Sequence, residues 1–352
     1  SYRPETITIA PYPDTPFVFE ATETKEVNGR TEWVGRNGIQ GAFLVVAATQ
    51  TEWRAVVFVP GGGTYDVSIS SGKVTVHEQG DSGTHCGVDG HLTPPNRSVK
   101  AQPVAEAAQV GVQDLTVAEA EEVAAADTAP YQVDVLVFYD AAALSEAGSL
   151  AAIDTRAAVD ILYANTAAAQ SGVNVHWNYL RAYPVVPYSN PTSDILVDLE
   201  TIESLNASPN SMVDGSPAKD AYLKCVANGA DQAVLLVGGS RGTTAGIAYT
   251  LSPADGQPYH YSVVVWKAPS STMAHEMGHN FGCNHDRTTE KMPTGGGYAY
   301  GYCFTYNGDT GCGTIMAYSS NRVAYYSNPN IALTDKNQNK VPLGQPTTSS
   351  TA

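Results

Sequence analysis

Basic residues are scarce in this chain of 352 residues: Lys and Arg number 19 against 35 Asp and Glu, a formal net charge of −16. A surface of that sign repels phosphate backbones and anionic lipid, which argues against nucleic acid or a membrane as partner. Long apolar runs are also missing; none approaches the roughly 20 residues of a membrane-crossing helix. Charge of either sign is sparse, at 15% of residues, while 43% are hydrophobic. That is enough for two domains, each burying a core. No signal peptide opens the chain, which starts Ser1-Tyr2-Arg3-Pro4; a secreted form is expected to have lost its leader already. Cysteine is rare and odd in number: Cys86, Cys225, Cys283, Cys303 and Cys312. At least one thiol must stay out of a disulfide, and Cys86, far from the rest, is the candidate. The other four suit two disulfides and an oxidising, extracellular compartment. Cys303 and Cys312 bracket a short Gly/Asn/Asp loop, which predicts Cys303–Cys312, and Cys225–Cys283 follows by elimination. Four reduced, buried thiols are the alternative.

One stretch carries chemistry: His275-Glu276-Met277-Gly278-His279-Asn280-Phe281-Gly282-Cys283-Asn284-His285-Asp286. A spacing of four residues puts His275 and His279 on one helix face, one turn apart. Two neutral imidazoles so placed are two of the three protein ligands of a catalytic zinc. Glu276 cannot point the same way and is left to act as a base. Gly282 allows a left-handed turn that ends the helix cheaply. That turn redirects the chain so that His285 returns as a third ligand. A fourth position then stays open for water, the mark of a catalytic site.

This H-E-x-x-H-x-x-G-x-x-H pattern resembles the metzincin metallopeptidases. The resemblance implies a Met-turn downstream, and Gly313-Thr314-Ile315-Met316-Ala317-Tyr318 fits that place. It also implies one catalytic zinc, Glu276 as general base, Met316 as an apolar floor under the histidines, and protein or peptide substrates. Asp286 directly after the third His is similar to the reprolysin (adamalysin, ADAM-like) branch. Tyr318, two residues after the Met, instead resembles astacins and serralysins, where such a Tyr is a removable fifth ligand or stabilises the oxyanion. Packing within the turn is the alternative. Cys86-Gly87-Val88, in the Gly-rich run from Gly83, resembles the cysteine switch of ADAM-type and matrix metallopeptidase propeptides. A thiolate there would take the open zinc position, and His85 and His91 lie near enough in sequence to approach as well. An unpaired structural cysteine is the alternative. Nothing indicates a calcium site, and a monomer is expected.

The expected architecture is α/β (α+β). Residues 1–95 read as a small antiparallel β prodomain, with strands at Phe17–Thr22, Ala42–Ala47, Ala55–Val59, Thr64–Ile69 and Lys73–His77. Residues 96–128 read as a linker and activation segment, with a helix near Val117–Ala125. Asn96-Arg97-Ser98 and Asn206-Ala207-Ser208 are glycosylation sequons. Residues 129–352 read as the peptidase domain, with a twisted, mixed, five-stranded sheet and a zinc helix. Its strands are Gln132–Tyr139, Val173–Tyr183, Gln232–Val237, an edge at Gly246–Thr250, and Tyr261–Trp266. Helices are expected at Leu150–Ser171, amphipathic, at Thr192–Leu205 and at Ala218–Asn228. Pro269-Ser270-Ser271-Thr272 supplies an N-cap to the zinc helix. The edge is suited to pairing with an extended peptide. His77, His176 and His260 lack ligand spacing.

The function expected is that of a secreted zinc endopeptidase made as a latent zymogen. Two other readings stay open. One is a catalytically silent binding module, whose damaged Glu or His is not seen here. The other is a surface protein with a structural zinc, closed permanently by Cys86.

Overall fold

The computed structural model describes residues 3–10, 16–70, 72–79, 85–86, 129–185, 188, 190, 192–203, 213–250, 260–290 and 299–345. The expected linker at 96–128 with its helix, both sequons and His91 lie outside them.

The N-terminal part is a seven-stranded antiparallel meander in chain order: β1 (Thr6–Ile9), β2 (Phe17–Val27), β3 (Arg30–Arg36), β4 (Phe43–Ala48), β5 (Glu52–Val59), β6 (Gly63–Ser70) and β7 (Lys73–Glu78). Alternation sends successive side chains of β4 and β5 to opposite faces. Leu44, Val46 and Val57 join Phe19 and Trp33 in one cluster. Phe43, Val45, Val56 and Phe58 join the core of the rest of the chain. Both faces of the central strands are therefore buried. β3 escapes a hydrophobicity reading because it is half polar. Arg30 and Glu32 are nevertheless buried, and pair with each other at 2.6 Å while Arg30 also pairs with Asp154.

The second sheet has six strands, ordered β10-β9-β11-β13-β12-β8. Residues 131–265 supply five: β9 (Tyr131–Tyr139), β10 (Val175–Pro184), β11 (Gln232–Val237), β12 (Thr244–Ala248) and β13 (His260–Val265). The sixth is β8 (His85–Cys86), which pairs parallel with β12, Cys86 opposite Gly246. The edge expected at 246–250 is thus β12, and residues 85–86 already lie on it.

Helices α1 (Ala141–Ala147), α2 (Leu150–Gln170), α3 (Ile195–Glu203), α4 (Pro217–Asn228) and α5 (Ser271–Asn280) complete the frame. Ser149 caps α2 by accepting from Ala152 N at 3.0 Å. α2 is buried on nearly every side, not on one stripe, since the meander covers the face a surface helix would show to water. Phe43 and Tyr163 meet there, ring centroids 5.6 Å apart. Two charges lie inside this helix. Arg156 donates to Asp160 Oδ2 at 2.6 Å and to the carbonyls of Trp266 (3.2 Å) and Ala268 (2.8 Å). It thereby fixes the turn that leads into α5.

After α5 come β14 (Cys303–Tyr306), β15 (Asp309–Gly313) and β16 (Asn321–Arg322) in one small sheet, then a hairpin of β17 (Asn328–Thr334) and β18 (Lys340–Leu343). Neither expected disulfide forms. Cys303 stands opposite Gly313, and Cys312 opposite Phe304. The one-residue offset turns the two thiols to opposite faces of the hairpin, Cys303 exposed and Cys312 buried. Cys225 sits on the buried face of α4 with Ala218 and Ala221, while Cys283 follows the C-terminus of α5; both are thiols. No described helix is long and apolar enough to cross a membrane.

Arg30 ties the meander to α2 through Asp154, and Tyr179 donates to the same carboxylate at 2.7 Å. Arg30→Ala leaves Glu32 buried and facing Lys25 at 3.2 Å. It should lower stability by about 3 kcal/mol, the cost of breaking a buried ion pair. A urea unfolding midpoint unchanged from wild type would refute this role.

Candidate metal centre

α5 carries the first two histidines, and its ends show why they sit where they do. Ser270, at the N-cap position, makes no side-chain cap; its hydroxyl donates instead to Asp66 Oδ1 of the meander at 2.6 Å. The expected Ser cap is therefore replaced by a contact with β6. At the other end Gly282 is left-handed, at φ 81°. Cys283 N donates back to the Gly278 carbonyl at 3.0 Å, the closing bond of a glycine-terminated helix. The chain turns there and delivers His285.

The side chains of His275, His279, His285 and Cys86 converge, each buried, with ligand atoms within 4.8 Å of one another. His279 Nε2 lies 3.1 Å from the Nε2 atoms of both His275 and His285, and 3.7 Å from Cys86 Sγ. A tetrahedral zinc with ordinary Zn–N and Zn–S bonds has N···N edges of about 3.3 Å and N···S edges of about 3.6 Å. The three edges from His279 are close to those values, and the four donors suit the ion chemically.

Each imidazole is aimed from behind. His275 Nδ1 faces the Ile315 carbonyl at 2.8 Å, His279 Nδ1 the Cys283 carbonyl at 2.7 Å, and His285 Nδ1 the Glu290 carboxylate at 2.7 Å. The two carbonyls hold the proton on Nδ1 of His275 and His279 and turn Nε2 to the centre, while the Glu290 carboxylate lies at ion-pair distance from His285 Nδ1 without the alignment of a hydrogen bond. Burial, with Arg322 and the neighbouring imidazoles, pushes His275 well below the usual histidine range, so it is neutral, the form that binds metal. Met316 lies under α5 so tightly that a Cβ on Gly278 would come within 2.5 Å of its sulfur. Asp286 stitches the third-histidine loop to the Met-turn, accepting from Thr289 N at 3.1 Å and from Tyr318 N at 3.1 Å.

Glu276 is fully buried and lies beside the cluster. Cys86 Sγ donates toward its Oε2 at 3.6 Å, and Oε1 has no partner among the described residues. Burial pushes the carboxyl up to about 8, opposed by the Cys86 contact and the Arg322 charge. Gly246 opposes it across β12: a Cβ there would sit 2.6 Å from Oε1. Tyr318 packs its ring 4.2 Å from the His285 ring, and its hydroxyl donates to the Cys86 carbonyl at 2.9 Å. His77 and His176 lie outside the cluster.

Sequence reasoning did not find Glu290 or Arg322, and it placed Gly246 on the edge strand without its close approach to Glu276. Glu290 lies one turn past Asp286, whose carbonyl accepts from its N at 3.0 Å, but no spacing rule marks it. The other two are brought in by separate strands.

A twisted sheet, a His-bearing helix, a glycine turn to a third His and a methionine floor are the parts of a metzincin-type zinc metallopeptidase. The chain belongs to metallo-peptidase family M12, whose reprolysin-type model matches residues 129–331. It is similar to the peptidyl-Asp metalloendopeptidase of Stenotrophomonas maltophilia (strain K279a), 36% identical over 129 residues, 34% of this chain and 28% of that one. The peptidyl-Asp metalloendopeptidase of Pseudomonas aeruginosa PAO1 is 27% identical over 235 residues, 59% of this chain and 36% of that one. The chain thus spans about a third of the length of these relatives. A chain in a solved chaperone–substrate complex aligns over 86% of this chain and 36% of its own, at 14% identity and a TM-score of 0.44; so slight a likeness does not bear on the fold.

Glu290→Ala removes the acceptor behind His285. Zinc affinity, measured by competition with a chromogenic chelator, should fall about 10- to 100-fold. An unchanged affinity would show that Glu290 does not position the ring.

Proposed function

We propose that this protein is a secreted zinc endopeptidase held latent by its own N-terminal part. His275, His279 and His285 hold the metal, and Cys86 holds the fourth position in the latent form. The observation that carries this reading is the meeting of one thiol, three imidazoles and a buried carboxylate at a single point. Residues 1–95 are then a β-rich propeptide ending in the cysteine switch, 96–128 the activation segment, and 129–352 the peptidase domain. The substrates are proteins or peptides, and the protein acts as a monomer. Both relatives are named for action on peptidyl-Asp bonds, and we propose the same bond class here.

Bound zinc would supply Lewis acidity toward the scissile carbonyl and the attacking water. Glu276 takes the proton of that water and delivers it to the leaving amine. Glu276 does this in its ionised form, and its burial beside the cluster keeps the proton it takes close to the leaving amine. β12 offers main-chain groups to an extended substrate once residues 85–86 leave it. Met316 supports the histidines from below. Tyr318, freed from the Cys86 carbonyl, has its hydroxyl available as a fifth ligand or to stabilise the oxyanion.

The same four donors also favour a second reading: a closed structural zinc with Cys86 as a permanent ligand, in a silent binding or surface protein. The two readings part on activity. Glu276→Ala should lower casein hydrolysis by on the order of 10²- to 10⁴-fold while zinc stays near one per chain. Retention of a tenth of wild-type activity would exclude Glu276 as the base.

Cys86→Ser should release activity in the full-length protein without cutting between 96 and 128, because a hydroxyl is a far weaker zinc ligand than a thiolate. Thiol-reactive mercurials should act alike on the unmutated protein. A variant still latent until cut would show that the meander, not the thiol, blocks the site. Absence of activity in every form would favour the closed structural zinc.

A further inference from the structure

One cation faces this site and takes no part in the chemistry above. Arg322, on β16, is half-buried, and its Nε donates to the Ala317 carbonyl at 3.1 Å. That bond ties the side chain to the Met-turn at Ala317. Ala317 directly precedes Tyr318, whose ring packs 4.2 Å from the His285 ring, so this bond holds Arg322 beside the lining of the site. Its charge acts on Glu276 and on His275, and the groups that act back on it include Cys86, Glu276, Tyr163 and Tyr318.

Two buried guanidinium groups in this half of the chain are matched by acid. Arg156 holds Asp160 at 2.6 Å, and Arg241 holds Asp198 at 2.7 Å. Among the described residues no carboxylate lies within ion-pair distance of Arg322, and Nε alone is used in a hydrogen bond. Withdrawing a guanidinium from water without an anion is costly. The two terminal nitrogens, Nη1 and Nη2, present the parallel donors that match both oxygens of a carboxylate.

We infer that Arg322 is the specificity-determining residue of this site, receiving the carboxylate of an Asp or Glu side chain next to the scissile bond. The inference rests on the peptidase reading above and adds the group that selects the substrate. Asn and Gln, equal in shape and lacking charge, cannot replace the acid. A Lys at 322 keeps the charge and loses the paired donors.

The test is a map of cut sites. Full-length wild type, Arg322→Gln and Arg322→Lys are activated by limited proteolysis and incubated with a denatured protein, and the new termini are sequenced. Wild type should favour Asp or Glu over Asn or Gln at one position beside the cut by on the order of 100-fold. In Arg322→Gln the preference should fall to within about threefold while cuts continue elsewhere, and Arg322→Lys should keep an intermediate preference. Wild-type cuts without acidic preference, or a preference that survives in both variants, would overturn the assignment and leave the peptidase reading standing. Absence of cuts by any of the three would sink both. If Arg322→Gln is inactive because it misfolds, wild type and Arg322→Lys still decide: equal preference in the two would refute a role for the paired donors.

Discussion

Three imidazole nitrogens in a dry pocket, that of His279 held 3.1 Å from each of the other two, are the constraint that the surrounding structure serves. Neutral nitrogens that close, all turning lone pairs to one point, repel unless a cation sits between them. Something must therefore hold each ring against that repulsion, and the means differ from ring to ring. A carbonyl of the Met-turn holds His275, the carbonyl of Cys283 holds His279, and the carboxylate of Glu290 holds His285. The glycine turn at 282, the stitch from Asp286 to Tyr318 and the pressure of Met316 on Gly278 are consequences of bringing those three acceptors into place.

The same demand reaches back into α2. Arg156 is buried at some cost, and its donors end on the carbonyls of Trp266 and Ala268, which lead into the helix that carries His275 and His279. One turn on, Asp160 lies in the same dry interior. A polar network enclosed between two sheets fixes the entry to α5 in one arrangement. An apolar contact at that point would allow the helix to slide. Ser270 adds a link from the meander, since its hydroxyl bonds Asp66 and leaves the first turn of α5 without a side-chain cap.

Much of this was legible from local pattern, and the failures have a common cause. The histidine spacing, the left-handed Gly282 and the Met-turn are local, so a reading of residues 275–318 located them. The long strands and α2 follow from apolar periodicity. β3 was missed because Arg30 and Glu32 read as exposed until Asp154, far along the chain, neutralises them. α2 was expected to show one apolar stripe because the sheet that covers its other face cannot be inferred from the helix. The disulfides failed for a similar reason. Proximity in sequence placed Cys303 near Cys312, but a one-residue register decided which way each thiol points. Glu290, Gly246 and Arg322 act at the site through tertiary placement, and no spacing announces them.

The meander shares its buried face with the body of the protein: Phe43, Val45, Val56 and Phe58 lie in the main core, and Arg30 grips Asp154. In the latent form we propose, Cys86 is therefore an inhibitor held at high effective concentration by two attachments, the covalent chain and this interface. Cutting between 96 and 128 removes only the first. The nicked protein is then an enzyme–inhibitor complex whose lifetime is set by its dissociation rate. Activity would follow the cut with a delay, and would recover faster on dilution than at the concentration at which the cut was made.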